Sequence, residues 1–281
     1  VKNIILTGGE VTLLRNFLNE ICDYCTDNNL SVSLVSNLID ITKDRNYWGN
    51  FFKTYEKVHL TGSYQVDLSR KDLNSNKITQ DDFLNFVKWY NNEIKKKLLV
   101  ISVINYNNES TALENVYLAK EHGYIASLER QIKIGRADSE YLPLDYYKLL
   151  CKIIDLDLWQ YEKHTAELVE KGLYNQRYCN FFCKNMIPVI YINKSGKLVE
   201  TFCDQISTID REPIKYTKTS ALQRECLLCK NYNMCQGCHL TRMNLHEHFK
   251  TNNIDISTYC KNITEILKEL EVKLLKIRGK I

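Results

Sequence analysis

The chain has 281 residues, 44% of them hydrophobic and 26% charged, with a net charge of +4, which suits one large domain or two ordinary ones with a sizeable core. The basic residues are scattered, without the stripe that marks a nucleic-acid surface. No apolar run approaches the about 20 residues of a membrane span, and the opening VKNIILTGGE ends its apolar run in glycines rather than at a small-residue cleavage site. No nucleic-acid partner, no membrane and a cytoplasmic location are therefore expected.

Taken in order, Asn3 to Leu6 reads as a short apolar strand ending at Gly8-Gly9. Val11 to Asn28 has helical spacing, with Leu14, Phe17, Leu18, Ile21 and Cys22 on one side. Ser31 to Val35 and Lys57 to Leu60 read as strands. A helix is expected from Asp81 to about Lys97, with Phe83, Phe86, Val87 and Tyr90 on one face. A strongly apolar strand spans Leu98 to Ile104, a helix spans Ser110 to His122 and stops at Gly123, and a further strand covers Ala126 to Ile134. Repeated strand–helix units with apolar strands argue for a parallel sheet covered by helices. Helices follow from Pro143 to Gly172, then a hairpin from Val189 to Phe202 turning on Lys194-Ser195-Gly196. Ile263 to Ile277 reads as an amphipathic surface helix.

Two groups of residues carry chemistry. Leu6-Thr7-Gly8-Gly9-Glu10 joins a strand to a helix at the C-terminal strand end, where α/β folds bind ligands. Paired glycines allow close backbone approach to a ligand, and the Glu10 carboxylate suits an ammonium group. A tight turn with a solvated glutamate is the plainer reading. The second group is cysteine. Of eleven, eight fall between Cys179 and Cys260, a crowding that favours metal over ordinary core packing. Nothing marks the chain as secreted, which disfavours disulfides. The firmest part is Cys226-x2-Cys229-x5-Cys235-x2-Cys238, which by itself also fits zinc. Cys22, Cys25 and Cys151 lie on helical faces and are read as core.

The strand–GGE–helix order resembles the radical S-adenosylmethionine (SAM) family, whose second barrel strand ends in GGEP; Val11 stands in place of that proline. Ser36-Asn37 resembles the family's Thr-Asn-Gly turn. Thr61-Gly62 lies where the family has a Ser-x-Asp-Gly segment, and Arg130 to Arg136 resembles a late-strand segment of members with a SPASM domain. The cysteine run resembles the SPASM core, with a last loop one residue shorter. The resemblance implies an α/β fold: a partial (β/α)6-type barrel over 1–150 lacking its first strand, linking helices over 151–178, and a small cysteine-rich SPASM domain with a C-terminal helix over 179–281.

It implies that Gly8, Gly9, Glu10, Asn37 and Thr61 contact SAM. One auxiliary [4Fe-4S] cluster would take Cys179, Cys183, Cys203 and Cys238, and a second would take Cys226, Cys229, Cys235 and Cys260. The family's CxxxCxxC motif, which holds a third [4Fe-4S] cluster, chelates SAM and yields a 5′-deoxyadenosyl radical, does not occur in the chain. It is expected on a preceding segment, without which the chain should not generate radicals. The implied activity is maturation of a ribosomally made peptide, with side-chain cross-linking as the expected reaction. A peptide or protein substrate and an electron donor such as flavodoxin or ferredoxin would be the partners. Asp204, directly after Cys203, resembles the base of sulfatase-maturing relatives, which makes formylglycine formation the alternative enzyme reading. A non-catalytic iron–sulfur or zinc module that binds a peptide is the alternative of another class.

Overall fold

The first strand, β1 (Asn3–Leu6), opens a sheet in the order β1-β2-β3-β4-β5, in which β2 is Ser31–Ser36, β3 Val58–Ser63, β4 Leu99–Ile104 and β5 Ile125–Arg130. The first three pairings are parallel: Leu6 lies against Leu34, Leu34 against Leu60, and Thr61 against Leu99. The computed structural model describes residues 2–7, 10–66, 78–131, 141–175, 188–192, 198–202, 226, 228–236 and 239–280. Two compact units result. The first comprises Val1–Glu129 with Asp155–Ala166, and the second Arg130–Ile154 with Glu167–Ile281. The α/β class expected from the sequence is what the chain adopts.

In the first unit, helices connect every pair of neighbouring strands. These are α1 (Arg15–Asp27), α2 (Ile39–Lys43), α3 (Arg45–Thr54), α4 (Gln80–Glu93) and α5 (Glu109–His122). Residues matched in a parallel register point to the same face. Val32, Leu34, Leu60 and Val100 thus share one buried face of the sheet. The aromatic rings of Tyr64 and Phe83 stack at 3.9 Å, and Tyr124 meets Phe83 edge-on at 5.5 Å. Several polar groups in this core bond to one another. Asn115 donates to Ser102 Oγ, which donates to the Tyr64 carbonyl, and Tyr124 donates to Asn115 Oδ1.

Several boundaries differ from expectation. The helix read from Val11 breaks at Leu14: Val11–Leu13 is a 3-10 turn, and α1 begins at Arg15. Its buried stripe is Leu18, Cys22 and Cys25, whereas Leu14 is 58% and Phe17 46% exposed. The pair α2 and α3 was not foreseen, although Trp48, Phe51, Phe52 and Tyr55 follow the i, i+3, i+4, i+7 spacing of a helix. The α4 helix ends early, because Lys95 takes φ +55°. Gly123, at φ +76°, ends α5 as expected.

The second unit holds α6 (Pro143–Asp155), an antiparallel hairpin of β6 (Pro188–Ile192) and β7 (Leu198–Phe202), and three helices: α8 (Tyr232–Gln236), α9 (His239–Asn252) and α10 (Ile256–Ile277). Between α6 and these lies α7 (Lys163–Lys171), which passes from the first unit into the second. The hairpin expected over Val189 to Phe202 is present, pairing Pro188 with Phe202 and Ile192 with Leu198, while its expected turn at Lys194-Ser195-Gly196 lies outside the described residues. The C-terminal helix starts earlier than its apolar pattern indicated, because Asp255 caps it by accepting from the amides of Ser257 and Thr258. Tyr259, Ile263, Leu267, Leu270 and Leu274 form its buried stripe. Among the described residues, no helix is long and apolar enough to cross a membrane.

Candidate functional site

The C-terminal ends of β1, β2 and β3 gather the first set of residues. Glu10 caps the turn after β1. Its Oε1 accepts from Thr12 Oγ1 at 2.7 Å, from Thr12 N at 3.4 Å and from Ser36 Oγ at 2.8 Å. Its Oε2 accepts from the Asn37 amide at 2.8 Å. The carboxylate therefore ties the end of β1 to the end of β2, and is not the freely solvated group of the plainer reading. Two oxygens offer about four lone-pair sites. Among the described residues Oε2 has one donor, so an ammonium group can still be accepted there.

Asn37 is brought to Glu10, but through its backbone. Its Oδ1 accepts from Ile39 N at 3.0 Å, an Asx turn that starts α2. Leu38 follows at φ +68°, where the resembling turn has glycine. That conformation is costly for a side chain. Leu38 is fully buried, and an added Cβ on Gly62 would come within 2.7 Å of Leu38 Cδ1. The leucine thus packs where Gly62 leaves room, which offsets its backbone strain and locks β2 to β3.

Thr61 lies on the opposite face, in register with Val35 and Leu99. Two residues on, Ser63 shares that face. Its Oγ is buried without a hydrogen-bond partner among the described residues. Buried hydroxyls are rarely left unpaired, and this one stands at the C-terminal end of β3. Sequence reading missed Ser63. A hydroxyl residue ending a strand two positions after Thr61 was the only signal available. Gly8 and Gly9 lie outside the described residues.

A second polar group sits at the far side of the sheet. Glu129 Oε1 is 3.1 Å from His164 Nε2 and accepts from Ser127 Oγ at 2.9 Å. Beside it Glu162 is fully buried, accepting from the amides of Leu128 at 3.2 Å and Thr165 at 2.7 Å. Burial pulls the Glu129 carboxyl up, but the hydrogen bond and charge of His164 outweigh it and hold the group at about 2. Burial lowers His164, and its bond to Glu129 with the charges of Glu162 and Glu129 outweighs that and raises it. Glu129 and His164 are 35 residues apart, and no motif connects them.

In the second unit, Cys226, Cys229, Cys235 and Cys260 are all free thiols. Cys226 and Cys235 are buried, Cys229 is exposed, and Cys260 is half-buried. Burial pushes the Cys235 thiol up to about 12, and the thiols of Cys260, Cys226 and Cys229 add to that. Cys260 is likewise raised by burial and then by Cys226 and Cys229. Four thiols close enough to sense one another's charge form one locale, although Cys260 comes from another helix. As thiolates they repel, and a bound cationic centre would remove that cost. Among the described residues, no three His, Cys, Asp or Glu side chains stand as a group able to hold a single metal ion. Cys238, the last cysteine of the run that also fits zinc, lies outside those residues.

Cys179, Cys183, Cys203, Cys238 and Asp204 lie outside the described residues. Cys22 and Cys25 are buried on α1, with burial pushing the Cys22 thiol up to about 12. Cys151 is buried on α6. All three are core residues, as the sequence indicated.

No protein-family model matches the chain, and no curated protein matches it. Among solved structures, the fold is similar to that of SuiB from Streptococcus suis bound to S-adenosylmethionine, with a TM-score of 0.53 at 14% identity over 85% of this chain. It is also similar to a second crystal structure of Streptococcus suis SuiB, with a TM-score of 0.52 at the same identity and coverage. The chain spans 62% of the length of the first and 63% of the second.

Proposed function

We propose that this chain is the SAM-binding sheet and auxiliary-cluster region of a radical SAM enzyme that modifies a peptide, with side-chain cross-linking as its reaction. One observation carries the reading. A fixed carboxylate after β1, tied to the end of β2, and a buried hydroxyl at the end of β3 with no partner among the described residues stand in a chain whose other unit has four free cysteines. The similarity in fold to a protein bound to S-adenosylmethionine supports it.

In this reading Glu10 accepts the ligand's ammonium group through Oε2, oriented by Ser36, Thr12 and the Asn37 amide. Ser63 donates to or accepts from a ligand hydroxyl, and Thr61 lines the same face. Gly8 and Gly9 let the backbone approach. Cys226, Cys229, Cys235 and Cys260 hold one [4Fe-4S] cluster, and Cys179, Cys183, Cys203 and Cys238 hold another. When bound, these groups supply radical chemistry and electron transfer, while the protein orients the substrate. A third cluster on a preceding segment, a peptide or protein substrate and a flavodoxin- or ferredoxin-type donor complete the proposal.

The test has two arms. Anaerobic reconstitution with iron and sulfide should give about eight irons per chain with matching sulfide; zinc without sulfide would sink the cluster assignment. Calorimetry with SAM on the chain joined to its cluster-bearing segment should show binding that weakens in Glu10→Gln. An amide there faces a donor amide and loses the charge, a cost of about 1–3 kcal/mol. Unchanged affinity in Glu10→Gln would remove Glu10 from the ligand site.

A further inference from the structure

The cysteines of the second unit come from two places: the loop and short helix carrying Cys226, Cys229 and Cys235, and the helix α10 carrying Cys260. Something must hold these two in register. The loop itself is made of tight turns. Cys229 N donates to the Cys226 carbonyl at 3.1 Å, Tyr232 N to the Cys229 carbonyl at 3.1 Å, and Cys235 N to the Asn231 carbonyl at 2.8 Å. Such turns fix the loop internally and say nothing of where it sits on α10.

Asn231 supplies that link. It is only 4% exposed, and both ends of its amide are engaged. Nδ2 donates to Thr264 Oγ1 at 3.3 Å, and Oδ1 accepts from Tyr174 Oη at 3.1 Å. Thr264 lies four residues after Cys260, one turn along the same face of α10. A bond from Asn231 to Thr264 therefore sets the loop opposite the turn that presents Cys260. A separate bond, from Tyr147 Oη to the Met234 carbonyl at 3.1 Å, holds the other end of the loop on α6. Of the two, only Asn231 reaches the helix that carries the fourth thiol.

We infer that Asn231 is a positioning residue for the four-cysteine site, holding the Cys226–Cys235 loop on Thr264 of α10 so that four thiolates face one iron–sulfur cluster. The inference rests on the cluster assignment proposed above. The amide of Asn231 is itself buried, so the loss of either partner would leave one of its ends unsatisfied.

The test compares the full chain with Asn231→Leu, Thr264→Val and Cys229→Ala, each reconstituted anaerobically with iron and sulfide. Cys229→Ala sets the iron content of a chain with this site disabled. In Asn231→Leu, iron should leave the site to a chelator about 10- to 100-fold more readily than in the parent, the usual size for an outer-shell partner of a metal ligand. Thr264→Val, nearly the same shape, should move in the same direction by less. The electron paramagnetic resonance signal of the reduced site should change in both, while the helical content of the metal-free chains stays that of the parent. Should Asn231→Leu fail to fold, Thr264→Val decides alone. Parent-like chelator resistance and spectrum in Thr264→Val would overturn the inference while leaving the cluster assignment standing. A parent that takes up iron without sulfide would overturn the assignment itself and the inference with it.

Discussion

The two units of the molecule solve the same problem by different means. The sheet unit buries large side chains on both the strands and the helices, with Trp48, Phe52, Phe83, Phe86 and Tyr124 all within its core. Some of its buried polar groups bond to one another, as in the Ser102–Asn115–Tyr124 chain. The cysteine-bearing unit buries apolar residues of α6 and α10, and adds to them a ligand loop held by hydrogen bonds. The first is stable through burial, which is non-directional and grows with area. In the second, Cys235 and Cys260 feel the charges of the neighbouring thiols, and under the proposed assignment metal binding supplies part of the folding free energy. A unit of the first kind tolerates change at its surface; one of the second kind depends on a handful of directional contacts.

The largest effect that can break this contrast is at a ligand. Cys235→Ser should remove the iron and sulfide of one cluster and abolish the gain in thermal stability that reconstitution brings to the second unit, read by calorimetry on loaded and metal-free chains. Retention of both would mean that this unit, too, is stable by burial alone. Next comes Phe83→Ala, which deletes a ring stacked on Tyr64 and met edge-on by Tyr124. It should cost about 3–5 kcal/mol in denaturant unfolding, by the same amount with and without iron. A cost that depended on iron would erase the distinction.

A smaller effect is expected at the lock between β2 and β3. Gly62→Ala forces a Cβ against Leu38 Cδ1 at 2.7 Å and should destabilise the chain by about 1–3 kcal/mol. Because it also disturbs the turn that presents Asn37 to Glu10, SAM affinity should fall with it. Stability lost with affinity intact would separate the strand lock from the ligand site.

The smallest effect is electrostatic. Glu129 is held at about 2 against an ordinary value of 4.5. Its contribution is therefore full above about pH 4.5 and is lost as pH falls toward 2. His164 is raised above its ordinary 6.5. Its contribution is full below about pH 6.5 and is lost as pH rises through the raised value. Melting temperature followed from about pH 3 to pH 9 should thus be highest between those limits. His164→Gln should flatten the alkaline fall and weaken the acid one. An unchanged alkaline limb would show that the pair contributes nothing measurable, as half-exposed ion pairs often do not.

Local pattern made much of this molecule legible in the sequence. The alternation of Ser31–Ser36 and the apolar run of Leu99–Ile104 each specify a strand, because a period of two places every second side chain on one buried face. Phe83, Phe86, Val87 and Tyr90 specify α4 by the same logic at helical period. The Glu10 turn and the spacing of Cys226, Cys229 and Cys235 were also visible, since their chemistry lies within a few residues of chain. What only the tertiary structure decided is what meets across distance. Nothing in sequence tells that Oε2 of Glu10 takes the Asn37 amide, that Leu38 adopts a left-handed backbone over Gly62, or that Ser63 buries a hydroxyl with no partner among the described residues. Nor does spacing bring Glu129 to His164, or Asn231 to Thr264, 33 positions apart. Those contacts depend on how strands register and helices dock, and that geometry is set by the packing of the whole unit rather than by any local run of residues.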